Sequence, residues 1–354
     1  MKIVTIVGAR PQFIKASVLS YKIKLQKDVE EIIIHTGQHY DQNMSKVFFD
    51  QLGITKPKYL LDSGGKSHGA MLGYQVIEIE KILLKEDPNY VVLYGDTNST
   101  LSGALAASKL HLTIVHIEAG LRSFNMKMPE EINRILTDRL SNFLFCPSHS
   151  ALDNLINEGF KSFDSQIHIV GDIMLEGIKL FSNKLDLSNA KNFPYLLFTL
   201  HRQENIDDQN RFKEIIEALN EISKTIKIVF PVHPRTKKKL YDLNLDLDKN
   251  ILIVEPMTYF NFLRHLKNSE LVITDSGGIQ KESYFMKRNC LIIREETEWT
   301  ELTENNNNKL CGYSKEKIVK NFDDRFKMNP SFEKSFYGDG NSTDLILKIL
   351  KNHL

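Results

Sequence analysis

Cysteine is scarce. The 354 residues hold three, Cys146, Cys290 and Cys311, far apart and with no CxxC pair. That excludes a disulfide framework and a thiolate zinc site, and it reads as the reduced thiols of a cytoplasmic protein. Long apolar runs are missing too. Only the short run Ile3–Val7 separates Lys2 from Gly8, too little for a signal peptide, and nothing reaches the length of a bilayer span. No membrane partner is expected. Neither sign of charge prevails, with 46 Lys and Arg against 45 Asp and Glu, a formal net charge of +1. A nucleic-acid partner calls for a marked basic surplus, so none is expected; one phosphorylated ligand needs only a few local donors. The 11 histidines show no HExxH or comparable spacing, and no metal site is expected. Neither a repeat of solenoid period nor a GxGxxG fingerprint occurs.

What is present is an alternation. Short apolar, β-branched runs at Ile3–Val7, Glu31–His35, Tyr90–Tyr94, Thr113–Ile117, Phe143–Cys146 and Ile167–Val170 are separated by segments of helical period. The pattern resumes at Tyr195–Thr199, Ile226–Val232, Ile251–Val254, Leu271–Thr274 and Leu291–Ile293. Strands apolar on both faces and spaced by helices belong to parallel sheets covered on both sides. The fold class is therefore α/β, with two doubly wound, Rossmann-like parallel-sheet domains. The length also suits two domains. We expect residues 1–172 to form the first and residues 173–342 the second, with residues 343–354 placed to pack back on the first. The polar run Glu304–Asn308 reads as a surface loop.

Ligands of open parallel sheets bind beyond the carboxyl ends of the strands, and the unusual polar residues of this chain fall there. After the first run comes Gly8-Ala9-Arg10-Pro11-Gln12. Gly8 permits a tight turn and Pro11 suits a helix start, so Arg10 and Lys15 flank a helix N-terminus that attracts anions. The same residues would also serve a plain strand-to-helix turn. Thr274-Asp275-Ser276-Gly277-Gly278 is more specific, because a buried strand running into Ser-Gly-Gly and a helix offers amides and a hydroxyl to a diphosphate. Glu282, a turn further on, can accept ribose hydroxyls, or simply complement the helix dipole.

Asp96 and Glu118 end neighbouring strands, and Glu130 opens a helix at Pro129 with Arg134 one turn on. Asp96 is equally placed as a helix cap, and Glu130 with Arg134 as an ordinary helical ion pair. Together, carboxylates gathered in one cleft raise one another's pKa and can divide into acid and base. His201, beside Arg202, and His233, beside Arg235, end the first two strands of the second half. Either could be a satisfied polar residue; two beside a phosphate site favour ligand contact.

With these motifs in order from Gly8-Ala9-Arg10-Pro11 to Tyr337-Gly338-Asp339-Gly340, the chain resembles the non-hydrolysing UDP-N-acetylglucosamine 2-epimerases. The resemblance implies the GT-B architecture, with substrate between two Rossmann-like domains, a homodimer, no cofactor, and a role in surface polysaccharide synthesis. It implies loss of the C2 proton with departure of UDP, a glycal intermediate, and re-addition on the opposite face. By the same resemblance Asp96, Glu118, Glu130 and His201 are catalytic. Arg10, Lys15, Arg134, His233, Ser276, Gly277, Gly278 and Glu282 hold the UDP-sugar.

Departures from the family pattern point to a branch. Arg10-Pro11-Gln12 and Glu298-Trp299-Thr300-Glu301 stand where members commonly read Arg-Pro-Glu and Glu-Arg-Pro-Glu. Arg122–Pro129 also lacks an aromatic, proline-rich lead-in. These variants look more like the branch acting on UDP-2,3-diacetamido-2,3-dideoxy-glucuronic acid. An arginine that binds an activating UDP-sugar is replaced near Gly73, which implies no substrate activation through residues around Gln38 and His39. A hydrolysing epimerase, a GT-B glycosyltransferase and a silent nucleotide-sugar sensor are the rival readings.

Overall fold

The computed structural model describes residues 1–38, 55–181, 191–324 and 332–354, and of Arg10 the backbone alone. The chain divides into two compact units, Met1–Phe181 with Ser335–Leu354, and Ser182–Lys334.

In the first unit seven parallel strands are β1 (Lys2–Val7), β2 (Glu30–His35), β3 (Tyr59–Leu60), β4 (Tyr90–Tyr94), β5 (Ile114–Ile117), β6 (Phe143–Cys146) and β7 (Gln166–Ile169), in the order β3-β2-β1-β4-β5-β6-β7. Val4, Ile6, Ile32, Ile34, Val91 and Leu93 pack on one face against Ile79, Leu83, Ala104 and Ala107 of two covering helices. Each Val, Leu or Ile side chain so enclosed contributes about 1.5–3 kcal/mol relative to exposure. Such strands need apolar residues at every position, which is why alternation is absent from β4.

The second unit repeats the winding. Its strands are β8 (Tyr195–Thr199), β9 (Lys227–Pro231), β10 (Ile251–Val254), β11 (Leu271–Thr274), β12 (Cys290–Ile292) and β13 (Asn308–Leu310), ordered β10-β9-β8-β11-β12-β13 and all parallel. Phe198 and Phe230 meet edge to face at 4.5 Å in its core. In both sheets the order reverses beside the first strand, between β1 and β4 and again between β8 and β11. Diverging connections open a crevice at such a point, where ligands of doubly wound sheets bind.

Two local expectations need revision. The helix Ile173–Phe181 belongs to the first unit, beyond the division expected at Asp172. The last helix, Ser342–Lys351, holds it there: Thr343 donates its backbone N–H and its hydroxyl to Glu176 at 2.7 and 2.5 Å. Gly171, at φ +80°, lets the chain of Tyr337 and Gly338 pass so closely that a Cβ would lie 2.6 Å from the Tyr337 carbonyl. The expected surface loop Glu304–Asn308 is instead partly internal. Asn307 and Asn308 are fully buried, and Asn308 begins β13, pairing with Cys290.

Candidate active site

In the first unit, Lys15, Glu118, Arg134 and Asp96 meet as two ion pairs beyond the carboxyl ends of the strands. Lys15, on the helix Arg10–Lys24, pairs with Glu118 at the end of β5. Arg134, buried on the helix Pro129–Leu140, pairs with Asp96 beyond β4. Gly95 directly precedes Asp96 and lies against the Lys15–Glu118 pair. It has φ +60°, and a Cβ there would stand 3.2 Å from Glu118 Oε2 and 3.4 Å from Lys15 Nζ. Glu118 itself has φ +76°, a left-handed conformation that a glutamate adopts only when its surroundings impose it. Glu130 is half-buried at the helix start, with no hydrogen bond or ion pair among the described residues.

The Glu130–Arg134 helical pair, the alternative reading of their spacing, does not form. Arg134 turns to Glu131 at 2.9 Å, and that buried carboxylate also accepts the Ser123 N–H, the Ser123 hydroxyl and the Phe124 N–H. Glu131 thus spends its acceptors on holding the lead-in loop and aiming Arg134 at Asp96. Sequence gave no ground for separating two adjacent glutamates, apart from the helical period that turns the second inward.

Beneath these groups lies a buried web. His116 donates from Nε2 to the Gly95 carbonyl and contacts Asp138 through Nδ1, both at 2.7 Å. Asp138 also accepts from Arg122 at 2.7 Å and the Gly120 N–H at 3.2 Å, and Arg122 forks onto Glu158. Burial alone would raise the Asp138 carboxyl; the His116 ring and the Arg122 guanidinium outweigh it and hold it below the usual range. The web fixes the ends of β4 and β5, and so the backbones that carry Asp96 and Glu118. Asn133 adds a bond from Nδ2 to the Asp96 carbonyl at 2.9 Å.

The second unit presents its polar groups at β8 and β11. Ser276 stands at the N-cap of the helix Gly277–Phe285 without a side-chain cap bond, and Gly277 is half-buried and Gly278 exposed at the helix start. Helix starts of this kind bind phosphate through unpaired N–H groups and the helix dipole. Glu282 lies buried on the same helix. His201 is exposed after β8, its Nδ1 3.0 Å from the fully buried Asp275. Burial would raise the Asp275 carboxyl, but the His201 ring and two backbone N–H groups hold it low. His233 caps the helix Pro234–Asp242 by accepting the Arg235 N–H on Nδ1. Burial depresses its pKa, and the neighbouring His201 and Arg235 add to the effect.

In the sequence Asp275 reads only as part of the Thr274–Gly278 motif, without a role of its own. Its position directly after a wholly apolar strand was the available signal that it would be buried. The side chain of Arg10, and His39, lie outside what is described. The free cysteines are all buried, and burial pushes their thiols upward, Cys311 to about 12. None is placed to act as a nucleophile. Among the described residues no cluster suited to a metal occurs, and no helix is long and apolar enough to cross a membrane.

Known proteins match this chain over nearly its whole length. The family model for UDP-N-acetylglucosamine 2-epimerase matches residues 21–351. A UDP-2,3-diacetamido-2,3-dideoxy-D-glucuronate 2-epimerase of Pseudomonas aeruginosa is 49% identical, over 99% of each chain. A UDP-N-acetylglucosamine 2-epimerase of Methanocaldococcus jannaschii is 42% identical, again over 99% of each. The crystal structure of M. jannaschii UDP-GlcNAc 2-epimerase in complex with UDP-GlcNAc and UDP superposes with a TM-score of 0.89, at 41% identity, covering 99% of this chain and 100% of that one.

Proposed function

The chain belongs to the UDP-N-acetylglucosamine 2-epimerase family, and we propose that it inverts C2 of a UDP-linked N-acetylated aminosugar. The observation that carries this reading is the gathering of Asp96 and Glu118, each against a cation, with Glu130 at the adjoining helix start. A proton beside an acetamido group is not acidic, so its removal has to be coupled to departure of a stabilised leaving group. A carboxylate takes the C2 proton, the C–H electron pair forms the C1–C2 double bond, and the C1–O bond breaks with its pair passing to UDP. Re-addition of UDP at C1, with a proton delivered to the opposite face of C2, yields the epimer.

Asp96, Glu118 and Glu130 supply the base and the acid, with His201 as a further catalytic group. Arg10, Lys15, Arg134, His233 and the Ser276–Gly278 helix start are the groups proposed to bind the negatively charged UDP-sugar, with Glu282 on the ribose. Every atom of the cycle comes from the substrate and from these side chains, without a cofactor.

The 49% identity to the P. aeruginosa enzyme favours a second substrate, UDP-2,3-diacetamido-2,3-dideoxy-glucuronic acid, within the same chemistry. Incubation in D2O with UDP-N-acetylglucosamine, followed by proton NMR, tests both readings. Loss of the C2 proton signal with a manno-configured UDP-sugar appearing supports the parent substrate. Exchange only with the diacetamido uronate supports the branch. Release of free N-acetylmannosamine and UDP would refute the non-hydrolysing reading, and inertness toward both sugars would refute the proposal.

A homodimer is part of the same reading. Exposed Ile77 and Leu84 on the helix His68–Glu86, and Ile132 and Leu136 on Pro129–Leu140, offer apolar surface for it; sedimentation equilibrium measures the mass. Three unpaired thiols fit the reducing cytoplasm as the compartment.

A further inference from the structure

His201 is exposed, yet one edge of its ring is fixed from below. Asp275 is fully buried at the end of β11, and its carboxylate accepts the backbone N–H groups of His201 and Arg202 at 3.1 and 2.9 Å. Asn205 Nδ2 reaches the same carboxylate at 3.3 Å while its other bond goes to the Ile293 carbonyl. Arg202 Nε donates to the Asp275 carbonyl at 3.2 Å. The carboxylate is therefore anchored by three groups of the one segment 201–205, itself tied to Ile293 through Asn205, and its Oδ1 stands 3.0 Å from His201 Nδ1.

A carboxylate only accepts hydrogen bonds, so the ring nitrogen facing it has to carry a proton. In the neutral imidazole the other nitrogen, Nε2, is then the unprotonated one. We propose that Asp275 is a positioning residue that fixes the proton of His201 on Nδ1, so that Nε2 is the nitrogen offered to the substrate for proton exchange. The proposal rests on the catalytic role given to His201 above and deepens it. In the neutral ring Nε2 accepts a proton; in the charged ring it donates one. His233 provides the contrast within the same unit, because its Nδ1 accepts the Arg235 N–H, which leaves the proton of its neutral ring on Nε2.

A purely structural role for Asp275, capping the turn at His201 and Arg202, predicts something different. The amide oxygen of an asparagine can still accept those backbone N–H groups. Its NH2 can also donate to Nδ1, and that drives the ring proton to Nε2. Reversal of a histidine tautomer by an Asp-to-Asn change costs about 10^4 in kcat in the serine-protease triad, so the two roles separate clearly.

The experiment has two arms. Histidine-selective 15N labelling reads the imidazole tautomer of His201 in the unaltered protein, at a pH where the ring is neutral and whether or not any sugar turns over. The signal is assigned by its loss in His201→Gln. A proton on Nδ1 is expected; a proton on Nε2 overturns the proposal even if the epimerase activity stands. In the second arm, Asp275→Asn should lower kcat by about 100-fold or more while the Kd for UDP stays within about threefold. The double variant with His201→Gln should be little worse than the poorer single one. A folded Asp275→Asn protein with kcat near the native value overturns the proposal. If that variant does not fold, the tautomer in the native protein decides alone.

Discussion

Gln12 donates from Nε2 to the Tyr94 carbonyl at 2.9 Å, a bond that ties the start of the first helix to the end of β4. Its Oε1 accepts the Gly8 and Ala9 N–H groups at 2.8 and 3.1 Å, and Nε2 reaches Thr100 Oγ1 as well. One buried amide thus holds the turn that carries Arg10 against the strand that leads to Asp96. A glutamate, common at this place in the family, would keep the acceptor and lose both donors. Gln12→Glu is expected to cost about 1–3 kcal/mol at neutral pH, the range for a buried polar group left unsatisfied. The loss should shrink in acid, where a protonated carboxyl can donate to Tyr94. Urea denaturation at two pH values checks it, and equal midpoints would count against the role.

Exchange of each carboxylate for its amide separates chemistry from binding. Asp96→Asn, Glu118→Gln and Glu130→Gln should each lower kcat by about 100-fold or more, the scale of a lost acid or base. The Kd for UDP, measured by calorimetry, should move only a few-fold. Glu118→Gln also breaks the pair with Lys15, and Asp96→Asn the pair with the buried Arg134, so these two are the variants expected to lose stability as well. Unchanged turnover in all three would remove these residues from the mechanism.

Glu31 is half-buried beside Thr5, which donates to it at 2.8 Å, and desolvation of its carboxyl raises its pKa against the partial opposition of its hydrogen bonds. The folded protein therefore keeps a proton that the unfolded chain has already released. Stability falls as pH rises from the ordinary glutamate value through the raised one, because the native state binds the extra proton. Glu31→Gln should remove that slope. The variant is expected to gain thermal stability relative to the parent at neutral pH and to show no such gain in acid. Thermal melts across the range decide the matter.

Gly277 opens the helix at the proposed diphosphate site, and a Cβ there would fall 2.8 Å from Glu298 Oε1. Glu298 is not free to yield, since Arg294 holds it at 2.9 Å in a buried pair. Gly277→Ala should therefore shift the helix start and weaken UDP binding by about tenfold, or about 1.4 kcal/mol. Gly278, with nothing near its Cβ position, is the control: Gly278→Ala should cost less. Titration of UDP into both variants reads the difference, and equal losses would argue against the crowding at Gly277.

The strands were legible because parallel strands buried on both faces leave unbroken apolar runs, and β4, β8, β10 and β11 begin and end where those runs do. β3 escaped, since two residues, Tyr59 and Leu60, carry no period. β13 escaped because Asn308 pairs through its backbone, which composition does not report. Asp96, Glu118 and Lys15 could be placed at one edge from strand order alone. That Lys15 meets Glu118 and Arg134 meets Asp96 could not, because the partner is set by side-chain direction in space. The roles of Gln12, Glu131 and Asp275 were hidden for a related reason: each acts on backbone N–H groups of a turn, and turns leave little trace in side-chain chemistry.

The return of Ser335–Leu354 to the first unit has a bearing on how the protein is made. The Tyr90 hydroxyl donates to the Leu350 carbonyl, and Thr343 satisfies Glu176, so the first unit stays unfinished while the ribosome translates all of Ser182–Lys334. Domains generally fold as units during synthesis. Here the later-encoded unit has every strand of its sheet before the earlier one has its last helix. The order of completion is thus the reverse of the order of translation, and a nascent chain stalled near Lys334 would expose the unsealed face that Ile346, Leu347 and Leu350 later cover.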